Sequence, residues 1–138
     1  MQPLSIRNFN PCNIRPGRTP WKGQVGTNAG FVVFDTMESG IRALAKQLIA
    51  YQDRYGINTV RGAINRWAPP NENDTGAYVN AVCAVLECHP DDQFDFRDPS
   101  WLFWMVTAIG QHENGTQAFN DNVTEQDISH GIADALAA

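Results

Sequence analysis

The sequence predicts one mainly α domain spanning residues 1–138, a single helical unit with an irregular N-terminal third. Three observations carry that expectation. Apolar residues recur at helical spacing in five stretches, each bounded by capping or breaking residues. Residues 1–30 are rich in Gly, Pro and Asn and poor in helix signals, so they read as structured loop. The chain has 138 residues, 43% hydrophobic and 18% charged, which fits one domain able to bury its own core.

The elements follow in order. A short ribbon is expected at Trp21–Val25, and Gly30–Asp35 reads as an extended segment. Asp35-Thr36-Met37-Glu38 has a capping-box pattern and opens a helix with Ile41, Leu44, Ala45, Leu48 and Ile49 on one face. Gly56 stops it. Asn58 or Thr59 starts the next helix, with Val60, Ala63, Ile64 and Trp67 inward, and Pro69-Pro70 ends it. Asp74 or Thr75 caps a helix carrying Tyr78, Ala81, Val82, Val85 and Leu86. His89-Pro90-Asp91-Asp92 is a turn, and Phe94 and Phe96 plug the core edge. Asp98-Pro99 opens the most apolar helix, which runs to Glu113 and closes at Asn114-Gly115. Trp101 and Trp104 read as packing residues of that helix. Thr124–Leu136 reads as a last amphipathic helix on Ile128, Ile132, Ala135 and Leu136. No internal repeat or low-complexity segment interrupts the chain.

The formal net charge is -5 and the sequence pI is about 5.0. That argues against nucleic acid or an anionic bilayer as the main partner, and leaves a neutral or mixed-charge polysaccharide open. Cys12, Cys83 and Cys88 are odd in number and lack metal spacing, so no disulfide framework, zinc site or cofactor is expected. A Cys83–Cys88 bridge looks awkward, because residues five apart on a helix do not share a face. Three reduced thiols point to synthesis in a reducing compartment. His89 and His130 have no partner spacing that suggests a metal. Neither a secretory signal nor an integral membrane segment is read in the sequence, so action outside the cytoplasm would need another delivery route.

Glu113 is the most informative residue. It places a carboxyl on the last turn of a strongly apolar helix. Apolar surroundings disfavour the charged form and raise a carboxyl pKa, and the negative end of the helix dipole acts in the same direction. A carboxylic acid that keeps its proton near neutral pH is what cleavage of a glycosidic bond requires as proton donor. A solvent-exposed residue at a helix end would carry no such role.

Three stretches resemble phage peptidoglycan-degrading and virion-associated proteins of the lysozyme superfamily. Arg7-Asn8-Phe9-Asn10-Pro11-Cys12-Asn13-Ile14-Arg15 is similar to an R-N-N-N-P-G-N-I-R signature, with Phe9 and Cys12 departing from it. Trp21–Gln24 and Phe31–Leu44 are similar to a segment with F-D-S-x-E-x-G at its centre. Arg66-Trp67-Ala68-Pro69-Pro70-Asn71-Glu72-Asn73-Asp74-Thr75 followed by Tyr78 is the third. Together they cover roughly residues 7–82. Ala108–Gly115 resembles the A-x-x-x-x-E-S-G ending of lytic transglycosylase catalytic helices, with Asn114 where Ser is usual. Lysozyme-like enzymes generally place that helix early, whereas here it falls near the C-terminus. The resemblance therefore implies a lysozyme-like α+β domain that is circularly permuted, a rearrangement that is tolerated where termini lie close together.

The resemblance implies cleavage of the β-1,4 bond between N-acetylmuramic acid and N-acetylglucosamine, with Glu113 as acid. Glu38 is a rival acid, but its capping-box position gives it a structural job. Glu72 or Asp74 is a candidate base or substrate-orienting group, while Asp74 also reads as an N-cap. A retaining pair of carboxyls sits about 5–5.5 Å apart and an inverting pair about 6.5–9.5 Å apart. A lytic transglycosylase needs only one Glu, which takes back a proton from the muramyl 6-hydroxyl. Asn8, Arg15, Trp67, Thr75 and Tyr78 are the candidate substrate-binding residues. Asn10 and Asn13 read as loop scaffolding, since Asn bonds its own backbone. His112 precedes Glu113 without a defined role.

The implied partner is a peptidoglycan glycan strand, met by a monomer. The implied route is synthesis in the bacterial host cytoplasm, then action at the periplasmic wall after holin-dependent release, or carriage in the virion. Two rival readings share the fold: a non-catalytic phage structural or wall-binding protein, and a secreted antibacterial toxin.

Overall fold

The computed structural model describes residues 2–138. Its elements in chain order are α1 (Leu4–Arg7), β1 (Gln24–Asn28), β2 (Phe31–Phe34), α2 (Met37–Tyr55), α3 (Val60–Trp67), α4 (Thr75–Leu86), α5 (Pro99–Asn114), α6 (Thr116–Asn122) and α7 (Glu125–Ala137). The fold is mainly helical, with one small antiparallel ribbon. No helix among the described residues is long and apolar enough to cross a membrane.

Side-chain caps set the starts of the long helices. Thr36, Thr59, Asp74, Asp98 and Thr124 each accept a hydrogen bond from a backbone N–H of the first turn. At Thr124 the bond is reciprocated: Asp127 also accepts from the Thr124 N–H at 3.0 Å, a full capping box. The box expected at Asp35–Glu38 is not made. Thr36 is the cap and takes the Ser39 N–H at 3.1 Å, so the register moves by one residue. Glu38 is left to meet His130 of α7, at 3.3 Å.

α2 is the axis of the core. Ile41, Leu44, Ala45 and Leu48 are fully buried, packed against α7 and α5. The approach of α7 is close: a Cβ added to Gly131 would lie 2.8 Å from the Glu38 carbonyl oxygen and 2.8 Å from Ile41. α5 is enclosed on nearly every side, with Leu102, Met105, Val106 and Ile109 at zero exposure. Phe96 stacks on Trp101 at 3.9 Å between ring centroids, and Phe94 flanks it at 6.0 Å, so the short segment before α5 does close the core edge.

Five expectations change. The ribbon begins later than Trp21: Gln24 pairs with Phe34 and Asn28 with Phe31, and the strands turn through Ala29 and Gly30. Both turn residues have positive φ, 53° and 84°, the geometry that matches the twist of a two-residue hairpin. Trp104 is not packed inside but 49% exposed, at the margin of the α5 stripe, edge-on to Phe103. In α4 the inward stripe runs through Val79 and Cys83, and Ala81 faces out. α1 and α6 were not anticipated, because neither is entered through a side-chain cap. Finally, Cys83 and Cys88 are neighbours. α4 ends at Leu86, Glu87 turns left-handed at φ 53°, and the Cys88 N–H returns to the Cys83 carbonyl at 3.2 Å. Such a helix ending brings the two side chains together, which a continuous helix would not. Both thiols are free, and burial followed by the facing Cys83 sulfur pushes the Cys88 thiol up to about 12.

The α2–α7 contact generates a stability prediction. Gly131→Ala forces a methyl against backbone and against Ile41, and overpacking of this kind costs about 1–3 kcal/mol. A urea-unfolding midpoint equal to that of the native chain would show that α7 can shift freely on α2.

An acid cleft between the N-terminal segment and the helices

The irregular N-terminal segment is held down by two asparagines. Asn10 is fully buried. Its amide donates to the Ile14 and Val32 carbonyls at 2.9 and 3.0 Å, and its oxygen accepts from the Ile14 N–H at 2.9 Å. Asn114, at the end of α5, donates to the Pro11 and Gly110 carbonyls at 2.6 and 2.7 Å and accepts from the Ser5 hydroxyl. These bonds dock the loop carrying Cys12 against the C-terminal turn of α5. Gly110 lets α6 close over the same turn, since a Cβ there would fall 2.2 Å from the Phe119 ring.

A cleft of about 770 Å³ opens beside this turn. The N-terminal segment gives it Asn13, Ile14, Arg15, Gly17 and Trp21, and β2 gives Phe31. α2 gives Gln47 and Tyr51. The end of α3 and the loop after it give Trp67, Ala68, Glu72 and Asn73, α4 gives Tyr78, and α5 gives Glu113. The lining thus combines five aromatic rings, three amide side chains, two carboxyls and one guanidinium. That mixture suits a polar ligand with flat apolar faces, as a sugar chain has.

Glu113 is half-buried in this cleft, and burial raises its carboxyl pKa above the usual glutamate value. Its neighbours share the enclosure. Burial, then the nearness of Glu113, raises the thiol of Cys12 and the phenol of Tyr78. The Tyr78 ring stacks on His112 at 3.8 Å between centroids.

The other sequence-derived candidates divide. Arg15, Trp67 and Glu72 line the cleft with Tyr78 and Glu113. Asp74 does not: it is the N-cap of α4 and accepts from the Ala77 N–H at 3.1 Å. Thr75 does not either, because its hydroxyl is buried and donates to the Ala68 carbonyl at 2.6 Å, holding the loop after α3. Asn8 is buried behind the ribbon, where its carbonyl oxygen accepts from Phe34 N–H at 2.9 Å and its side-chain oxygen from Asn28 at 3.3 Å. These three are scaffolding. Gln47 and Tyr51 were missed. They stand one turn apart on α2, and a Gln beside a Tyr on an otherwise apolar stripe was the available signal.

A mainly helical domain with a half-buried acid in an aromatic cleft is what these features define. The chain belongs to the family of Protein P5 of Pseudoalteromonas phage PM2. It is 42% identical to that protein over 132 residues, covering 92% of this chain and 81% of the phage protein. No family model matches the chain.

The raised pKa of Glu113 has a consequence for stability. The folded state holds this proton more tightly than the unfolded state does. The associated stability is therefore fully present below the ordinary glutamate pKa of about 4.3 and is lost as pH rises through the raised folded value. Glu113→Gln removes that loss. Its thermal stability relative to the native chain is expected to improve as pH rises from acid to neutral. A difference that does not change with pH would mean the carboxyl is solvated as in the unfolded chain.

Proposed function

We propose that the chain is a phage component whose cleft holds a peptidoglycan glycan strand and cuts it at the N-acetylmuramic acid–N-acetylglucosamine β-1,4 bond, with Glu113 as the proton donor. The phage part of this reading rests on kinship with Protein P5. The catalytic part rests on one observation: a carboxyl whose pKa is raised by burial stands in the wall of a large cleft lined by aromatic rings and amides. The resemblance of Ala108–Gly115 to a transglycosylase catalytic helix, and the order of the other motifs, support a circularly permuted lysozyme-like domain.

In the proposed reaction the protonated Glu113 gives its proton to the glycosidic oxygen as the bond to the anomeric carbon breaks. The sugar left behind carries positive character at that carbon. Trp67 and Tyr78, both in the cleft wall, pack against the sugar rings beside that bond. The deprotonated Glu113 then takes a proton from the attacking hydroxyl. Water, with Glu72 as the other carboxyl of the cleft, gives hydrolysis; the muramyl 6-hydroxyl gives an anhydro sugar.

A second reading is favoured by the kinship itself. A phage relative supports a structural or wall-binding component, carried in the virion or released to the periplasmic wall, and asks for no chemistry. In that reading the same cleft grips the strand without cutting it.

Lysis of chloroform-permeabilised Gram-negative cells separates the two. The native chain is expected to clear them, and Glu113→Gln to lose about 10²–10⁴-fold of the rate, the contribution typical of a general acid. Fragment masses then distinguish hydrolysed from anhydro ends. A native chain that clears no peptidoglycan removes the catalytic reading in favour of the structural one. Clearing by Glu113→Gln at the native rate removes Glu113 from the chemistry.

A further inference from the structure

Arg15 is the only basic side chain among the described residues that line the cleft; the other charged groups there are the acids Glu72 and Glu113. Among the described residues the ion pairs are Arg61–Asp91, Arg97–Asp53 and His130–Glu38, so Arg15 has no carboxylate partner. In a chain of net charge -5, a lone unpaired guanidinium in the main cleft is not part of a generally basic surface.

Its placement is built. Asn10 clamps Ile14 from both sides, through its N–H and its carbonyl. The Ile14 carbonyl also accepts from the Val32 N–H at 3.0 Å, which ties the backbone just before Arg15 to β2. The guanidinium then lies over the Phe31 ring, 4.9 Å from its centroid. Stacking on an aromatic face leaves the N–H edge of the fork free and reduces the side-chain freedom lost on binding. A guanidinium so presented takes a carboxylate through two parallel hydrogen bonds.

A strand of N-acetylglucosamine alone offers no carboxylate. A strand containing muramic acid carries one on the O-3 arm of every second sugar: on the lactyl group when the arm is bare, on the peptide when the arm is extended. Resting on the glycan reading above, we propose that Arg15 binds the carboxylate carried on these arms, so that the cleft takes acidic strands in preference to neutral ones. Glu72 repels the same carboxylate, which favours placing the arm at Arg15. The spacing of arms along the strand then sets which glycosidic oxygen meets Glu113. Arg15 is in this sense a specificity-determining residue.

Calorimetric titration of Glu113→Gln, with turnover blocked, tests this using three probes: chitohexaose, glycan strands stripped by an amidase, and strands bearing peptide stems. The acidic strands are expected to bind about tenfold more tightly than chitohexaose, the order that a charge-assisted hydrogen bond supplies. The advantage shrinks with added salt. It disappears when Arg15→Gln is added, so that the acidic strands and chitohexaose bind that variant with the same affinity. Tighter binding of stripped strands assigns the lactyl carboxylate, and tighter binding of stem-bearing strands assigns the peptide. Chitohexaose binding as tightly as the acidic strands, or an advantage that survives Arg15→Gln, overturns the proposal and leaves the glycan reading intact. Binding of none of the three overturns both.

Discussion

Enclosure of α5 is the constraint on which the rest of the structure depends. A helix with Leu102, Met105, Val106 and Ile109 all at zero exposure must be covered on nearly every side. α2, α4, α6 and α7 cover most of it. The last turn is sealed by chain with almost no regular structure, the segment between α1 and β1. Such a segment brings backbone polar groups into the interior, and each must find a partner. Asn10 and Asn114 provide those partners, one within the segment and one from the end of α5. The seal is polar in its bonding and apolar in its surface. It leaves Glu113 half in the protein and half in a cleft, and the raised carboxyl pKa follows from that position.

The helices were legible because their signals are local. A cap such as Thr59 or Asp98, a stripe such as Ile41–Leu44–Leu48 and a stop such as Gly56 can each be read without knowing the fold. What failed depended on partners distant in sequence or on which of two adjacent residues won. Asp35 and Thr36 both fit a cap, and packing chose Thr36. The contact of Cys83 with Cys88 depended on one left-handed residue, Glu87, in a place where Gly is the usual signal. Trp104 shares a helix with buried residues and still faces solvent.

The candidate site was half legible. Glu113, Glu72, Trp67, Tyr78 and Arg15 come from four separate regions of the chain and meet in one cleft. Asn8, Asp74 and Thr75 sit close to them in sequence, yet the side-chain oxygen of each is bonded within the scaffold. Side chains of this kind serve caps, turns and ligands with the same atoms, so sequence alone does not divide them. Gln47 and Tyr51 lie on a helix read as core, where a Gln and a Tyr one turn apart are a faint signal that the position of the cleft makes plain.

The claim that everything converges on is that the protein withholds water from one carboxyl. Site-resolved carbon NMR of the Glu113 side chain across a pH titration measures this directly. The account predicts a midpoint above the ordinary glutamate value, and a return toward that value when Asn114→Ala loosens the N-terminal seal. A native midpoint at or below the ordinary glutamate value would contradict it.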